Sequence, residues 1–98
     1  MNHDDILDMI EGDKLSPARL SFAAEVVGTG PPSRRLFDAL KKLLSHEKAY
    51  VREGAILGLA HHREPEVIDM LRGVMAHEPD SRLRELAAEI VNEWETTP

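Results

Sequence analysis

The chain has 98 residues, of which 42% are hydrophobic and 31% charged, and it contains no cysteine. These values suit one folded domain and exclude two-domain enzymes, disordered chains, disulfide scaffolds and thiolate zinc sites. The net charge of −6 opposes binding to nucleic acid and to anionic lipid, because both attract proteins chiefly through basic residues.

No segment of the sequence has the pattern of an export signal or a membrane span. Residues 1–5 are acidic where a signal peptide would be basic. The longest apolar run, Gly54 to Ala60, is far shorter than a bilayer requires. We therefore expect a cytoplasmic protein without a membrane partner.

Apolar residues at helical spacing predict three helices in the first half of the chain. The first is short and ends near Gly12. The second starts at Ser16, an N-cap followed by proline at the first helical position, and runs to about Gly28. Residues 29–33 form a turn, and the third helix then ends near Ser45.

The second half of the chain predicts three further helices. The fourth begins around Lys48 and continues past Leu59, and the fifth opens at Pro65. The sixth follows Asp80 and places its apolar residues on one face. Because no segment alternates with period two, the predicted fold is all-α.

The helices recur with a period of 31 to 33 residues. Residues 51–55 (Val-Arg-Glu-Gly-Ala) align with residues 83–87 (Leu-Arg-Glu-Leu-Ala) at an offset of 32, and Ala18-Arg19 align with Val51-Arg52 at an offset of 33. The turns repeat as well, as His-Glu at 46–47 and again at 77–78. This period predicts one domain, residues 1–98, built from three helix pairs at about 3–28, 32–61 and 64–96.

This pattern resembles the HEAT repeat family, in particular the short HEAT-like repeats of the phycocyanobilin lyase type. Residues 71–87 fit best, with an acidic turn leading into Leu83-Arg84, and the central unit is nearly as good. The first unit is degenerate, with Ala18 in place of the family's valine and Phe22 in place of its alanine. The resemblance implies an all-α, right-handed solenoid of three helix pairs without catalysis.

One arginine recurs in each repeat at the start of the second helix: Arg19, Arg52 and Arg84. In the family such arginines pair with acids of the preceding turn. The resemblance therefore implies structural roles, and the alternative is anion binding. The acids placed to serve are Asp13, Glu47, Glu78 and Asp80.

The His-Glu pairs at 46–47 and 77–78 also resemble those of the di-iron deoxyhypusine hydroxylases. Histidine and carboxylate are suitable iron ligands. In that enzyme the pairs lie on the second helix of the repeat, whereas here they lie in the turn before it. We therefore expect no metal and no cofactor. His61 and His62, adjacent at a predicted helix end, favour interaction with the helix dipole.

The resemblance implies a concave face lined by the second helices of the repeats. On the fourth helix Tyr50, Gly54, Leu57 and His61 form a stripe, and we interpret Gly54 as a notch that admits a ligand. The alternative is that Leu57 contacts a neighbouring helix. The predicted protein-binding site takes an apolar anchor with basic flanks and comprises Tyr50, Glu53, Leu57, His61, Glu85 and Glu89.

The predicted function is a non-catalytic scaffold that binds a protein or peptide. An accessory subunit of a lyase-like or other enzyme system is the alternative. The third helix also carries basic residues, for which nucleic acid is a further candidate ligand. Pairing with the chain's own acidic ends, within one chain or between copies, is the simpler explanation of those bases: Arg34, Arg35, Lys41, Lys42 and Lys48.

Overall fold

The computed structural model describes residues 2–97, and within them every regular element is an α-helix. The prediction of an all-α chain with six helices is therefore confirmed. The helices are α1 (His3–Glu11), α2 (Pro17–Val27), α3 (Arg34–Leu43), α4 (Ala49–Leu59), α5 (Pro65–His77) and α6 (Ser81–Thr96).

Local capping sets where several helices begin. Asn2 caps α1 by accepting a hydrogen bond from the Asp5 N–H at 2.9 Å, and the Asp5 carboxylate accepts in return from the Asn2 N–H. The Ser16 and Ser33 hydroxyls accept main-chain N–H bonds at the starts of α2 and α3. Asp80 does the same for α6. These side chains satisfy N–H groups that have no partner within their own helix.

The chain divides at His61 into two compact units. The first contains α1 to α4, with α2 and α4 in the most extensive contact and with α3 against α4. The second contains α5 and α6, which pack against each other as a helical hairpin. The assignment of residues 1–98 to one domain stays a prediction.

In the first unit the backbones of α2 and α4 approach directly. A Cβ added to Gly54 would overlap the carbonyl oxygen of Ser21, and one added to Gly58 would overlap that of Ala24. The Ser21 hydroxyl donates a hydrogen bond to the Tyr50 carbonyl at 2.6 Å, which joins the same two helices. Only glycine at these α4 positions leaves room for α2.

The second unit buries one apolar face of each helix. Arg63 donates to the Thr97 carbonyl at 2.9 Å and to the Trp94 carbonyl, so the residues before α5 are tied to the end of α6. Arg72 pairs with Glu95, and this hydrogen bond raises the pKa of the arginine. The buried apolar side chains are Val67, Leu71 and Val74 on α5 and Leu83, Ala87 and Val91 on α6.

Candidate binding surfaces

A shallow apolar groove of about 490 Å³ lies between α1 and α2. Arg19 is its one charged lining residue. Phe22 is 70% exposed at the groove, against 44% for Tyr50 and 37% for Met75, the other large apolar residues left exposed within residues 2–97. The groove is lined by Ile6, Met9, Leu15, Ala18, Arg19, Phe22, Ala23 and Val26.

Four of the groove residues have buried equivalents one repeat later. An offset of 33 residues maps α2 onto α4. All four equivalents on α4 have an exposed fraction of 0%, whereas two of the four on α2 are exposed and two are half-buried. The pairs are Ala18 with Val51, Phe22 with Ala55, Ala23 with Ile56, and Val26 with Leu59.

The sequence prediction did not find this groove, although one signal for it was present. Phe22 stands where the repeat pattern has alanine, and in the sequence alone this departure indicates only a degenerate first unit. A phenylalanine at a position that is buried in α4 would need a large space if the same face of α2 were covered. An oversized apolar residue in a repeat position can therefore mark a face that the chain itself leaves open.

Beside the groove, an ion-pair network joins α1 to α3. Arg35 donates to the Asp8 carboxylate at 2.5 Å and to the Glu11 carboxylate at 2.6 Å. The hydrogen bond from Arg35 lowers the pKa of Glu11, and the two carboxylates raise the pKa of Arg35. The interpretation that basic residues of the third helix pair with the chain's own acids is confirmed for Arg35. Arg34 pairs within α3, with Asp38 at 3.3 Å.

The arginines of the second and third repeats make the same contacts in their two turns. Arg52 Nη1 donates to the carbonyls of His46 at 2.8 Å and Glu47 at 3.1 Å. Arg84 Nη1 donates to the carbonyls of Glu78 at 2.7 Å and Pro79 at 3.0 Å. The acceptors of these bonds are main-chain oxygens of the turns, whereas the resemblance implied the turn carboxylates. A charged donor that binds two turn carbonyls fixes how the two helices of a repeat join.

The side chains of these turns also correspond at the offset of 32. His46 Nδ1 accepts from the Lys48 N–H at 3.0 Å, and Glu78 Oε2 accepts from the Asp80 N–H at 2.6 Å. Asp80 in turn accepts from the Arg82 N–H at 2.9 Å, which lowers the pKa of its carboxyl. The His-Glu pairs that suggested metal ligands thus include side chains that accept hydrogen bonds from the turn backbone.

Arg19 makes no equivalent contact. Its side chain is exposed and lines the groove, and within residues 2–97 Arg19 contributes its main-chain N–H, which donates to the Ser16 hydroxyl. The expected pairing with Asp13 is not formed, so the first repeat lacks the arginine contact of the other two. This turn contains the C-cap Gly12, the N-cap Ser16 and Pro17, and its Asp13 lies in the left-handed region at φ 54°.

The residues of the predicted site on α4 and α6 differ in exposure. Tyr50 and His61 are exposed on the first unit, and Glu53 and Leu57 are half-buried there. Glu85 and Glu89 are exposed on the second unit. The assignment of these six residues to one protein-binding site stays a prediction.

The prediction that Gly54 forms a notch for a ligand is wrong. Gly54 is buried, and the carbonyl oxygen of Ser21 occupies the position that a Cβ would take. The glycine therefore serves the contact between α2 and α4 within this chain.

Among residues 2–97, histidine, aspartate and glutamate side chains nowhere gather in a group of three or more that could hold a metal ion. None of the helices described by the structure combines the length and apolar character that crossing a membrane requires.

The described fold and the repeated turns define a class, the all-α helical repeat proteins. The sequence model of the family described as HEAT repeats matches residues 5–92, which is most of the chain. The chain therefore belongs to the HEAT repeat family. Neither a curated protein nor a solved structure matches it.

Proposed function

We propose that this protein is a non-catalytic, cytoplasmic scaffold module that binds another protein through the groove between α1 and α2. The observation that carries the proposal is the exposed fraction of Phe22, 70%, beside a groove that is almost wholly apolar. HEAT repeats commonly serve as scaffolds for protein interactions, which supports this class of function. We also assign the repeats to the short phycocyanobilin lyase type.

The free energy of binding at this groove comes from removing apolar surface from water. A phenylalanine that docks into a partner loses about 150–250 Å² of accessible surface, and aromatic side chains of this kind dominate the energetics of many interfaces. Exposed apolar patches bounded by polar residues mark interaction surfaces in soluble proteins. Asp5 and Glu25, both exposed, supply polar groups on the two helices that form the groove.

The six residues predicted from the sequence as a protein-binding site remain the second candidate for the partner's contact. On the first unit the support is the exposure of Tyr50, which would suit an apolar anchor, and on the second unit it is the exposed carboxylates of Glu85 and Glu89, which would suit basic flanks. The Tyr50 carbonyl is held by Ser21, so the ring projects from a well-packed part of α4.

Two other functions lead to different partners. As an accessory subunit, the chain would capture the enzyme it assists. As a nucleic-acid-binding module, it would use the exposed side chains of Lys41, Lys42 and Lys48, because Arg35 is already paired. Binding that falls steeply with salt would distinguish the second of these functions from apolar docking.

The test is capture of partners from extract of the native host by the immobilised full chain and three variants. Phe22→Glu, Tyr50→Glu and Met75→Glu each place a carboxylate on an exposed apolar position. We expect Phe22→Glu to lose the captured protein and Met75→Glu to retain it, with all helical contents unchanged by circular dichroism. Loss with Tyr50→Glu alone would move the site to α4, and retention by every variant would contradict both surfaces.

A further inference from the structure

We propose that the groove between α1 and α2 is occupied by a second copy of this chain, in a two-fold dimer in which the two α2 helices cross antiparallel at Phe22. This inference rests on the proposed function, since it names the partner of the same surface. It adds the kind of partner, the symmetry and the residue pairs in contact.

The internal repeat indicates that a helix covers this face. On α4 the equivalent positions, Val51, Ala55, Ile56 and Leu59, are fully buried among packed helices, and α2 lies against Gly54 and Gly58 beside them. The face of α2 that carries Ala18, Phe22, Ala23 and Val26 has the same apolar character but is not fully buried. The occupant that fits this face is therefore another apolar helix surface.

The α6 helix of a second copy does not suit the groove. The α2 residues that approach α4 most closely include Ala24 and Gly28. At an offset of 65 residues, which maps Arg19 onto Arg84, the equivalents of Ala24 and Gly28 on α6 are Glu89 and Glu93. Both glutamates are exposed, and burying unpaired carboxylates against an apolar groove is costly. Head-to-tail stacking of copies is thereby disfavoured.

The face of α2 is instead complementary to itself. Phe22 projects beside a groove lined by small and apolar side chains, so each copy offers both a protruding ring and a space to receive one. A two-fold interface is formed by the same patch on both copies, so that patch must contain both the protruding group and the space that receives it. Phe22 of each copy would lie beside the axis and enter the groove of the other.

The charges next to Phe22 have the same symmetry. Arg19 lies one helical turn before Phe22 and Glu25 lies one turn after it, and both side chains are exposed. When two α2 helices cross antiparallel at Phe22, Arg19 of each copy faces Glu25 of the other. Opposite charges therefore meet on both sides of the axis, which fixes the antiparallel orientation.

The first experiment is sedimentation velocity of the full chain over a range of concentrations, with Phe22→Glu and the matched control Met75→Glu. We expect dimerisation in the parent and in Met75→Glu, and at least a tenfold weaker association, roughly the effect of losing one interface anchor, in Phe22→Glu. Because Phe22 is 70% exposed, we expect this variant to fold. A parent that stays monomeric, or a dimer unaffected by Phe22→Glu, overturns the proposal.

A charge exchange tests the antiparallel pairing without relying on Phe22→Glu. Arg19→Glu alone should weaken the dimer, and Arg19→Glu combined with Glu25→Arg should restore it. Failure of the double variant to recover would overturn the assigned orientation. If the parent is monomeric while Phe22→Glu still abolishes capture from host extract, the second-copy proposal fails and the proposed protein-binding function stands.

Discussion

The helices α2 and α4 hold the same place in successive repeats but meet different surroundings. Where α4 has Gly54 and Gly58, α2 has Ser21 and Glu25, and where α4 has the buried Ala55, α2 has the exposed Phe22. The glycines of α4 admit the backbone of α2, whereas the equivalent positions of α2 carry the side chains of Ser21 and Glu25. The comparison teaches that the same position of a repeat is buried or exposed according to whether another helix lies against it.

The largest expected effect comes from filling the contact between α2 and α4. Gly54→Ala places a methyl group where the Ser21 carbonyl lies, so the helices must separate. We expect a loss of about 1–3 kcal/mol in the free energy of unfolding, typical of an overpacked core. Denaturant titration followed by circular dichroism measures it.

Gly73→Ala is the matched control for that variant. Gly73 lies within α5 and is exposed, and an added Cβ would meet nothing within 4 Å. Alanine is the better helix former, so we expect a gain of about 0.5–1 kcal/mol. If both variants were stabilised, the direct approach of α2 and α4 would be contradicted.

Removing the repeat arginines should give the next largest loss in the free energy of unfolding. The three alanine variants also compare the first repeat with the second and third. Removing Arg52 or Arg84 takes two hydrogen bonds from turn carbonyls, so we expect each alanine variant to lose about 1–3 kcal/mol of stability. Arg19→Ala removes no such contact and should change stability by less than about 0.5 kcal/mol. Equal denaturation midpoints for all three variants would contradict the structural role of the repeat arginines.

The smallest expected effect concerns pH and the Arg35 network between α1 and α3. Because the folded state lowers the pKa of Glu11, the stabilisation is present above the ordinary pKa of glutamate and is lost as the pH falls through the lowered value. We expect Arg35→Gln to lower the melting temperature at pH 7. The difference from the parent should shrink below about pH 4.

Lys42→Gln is the control for charge in the pH experiment. It removes one positive charge from the exposed side of the same helix α3, without breaking an ion pair among residues 2–97. Its melting temperature should follow that of the parent at every pH. A difference between Arg35→Gln and the parent that stays constant down to pH 2 would show that the Glu11 carboxylate contributes nothing through this network.

Local signals in the sequence were sufficient for the helices and for the positions of two of the three repeat arginines, but not for the main-chain acceptors that these arginines bind. Ser16 with Pro17 marked the start of α2, and Pro65 marked that of α5, because capping and proline geometry act over only a few residues. Arg52 and Arg84 were recognisable because both the guanidinium and the turn that it binds lie within six residues along the chain. The same reasoning failed for Arg19, whose preceding turn has a different backbone path.

The sequence by itself determined the six helices, their period and the family, since these depend on spacing, capping and repetition along the chain. The tertiary structure decided which faces are covered. Gly54 was ambiguous in the sequence, because a missing side chain permits either a ligand or a helix to approach, and α2 proved to be the occupant. Phe22 was equally ambiguous, because an apolar helical residue becomes a core residue or a binding residue according to whether another helix lies against it.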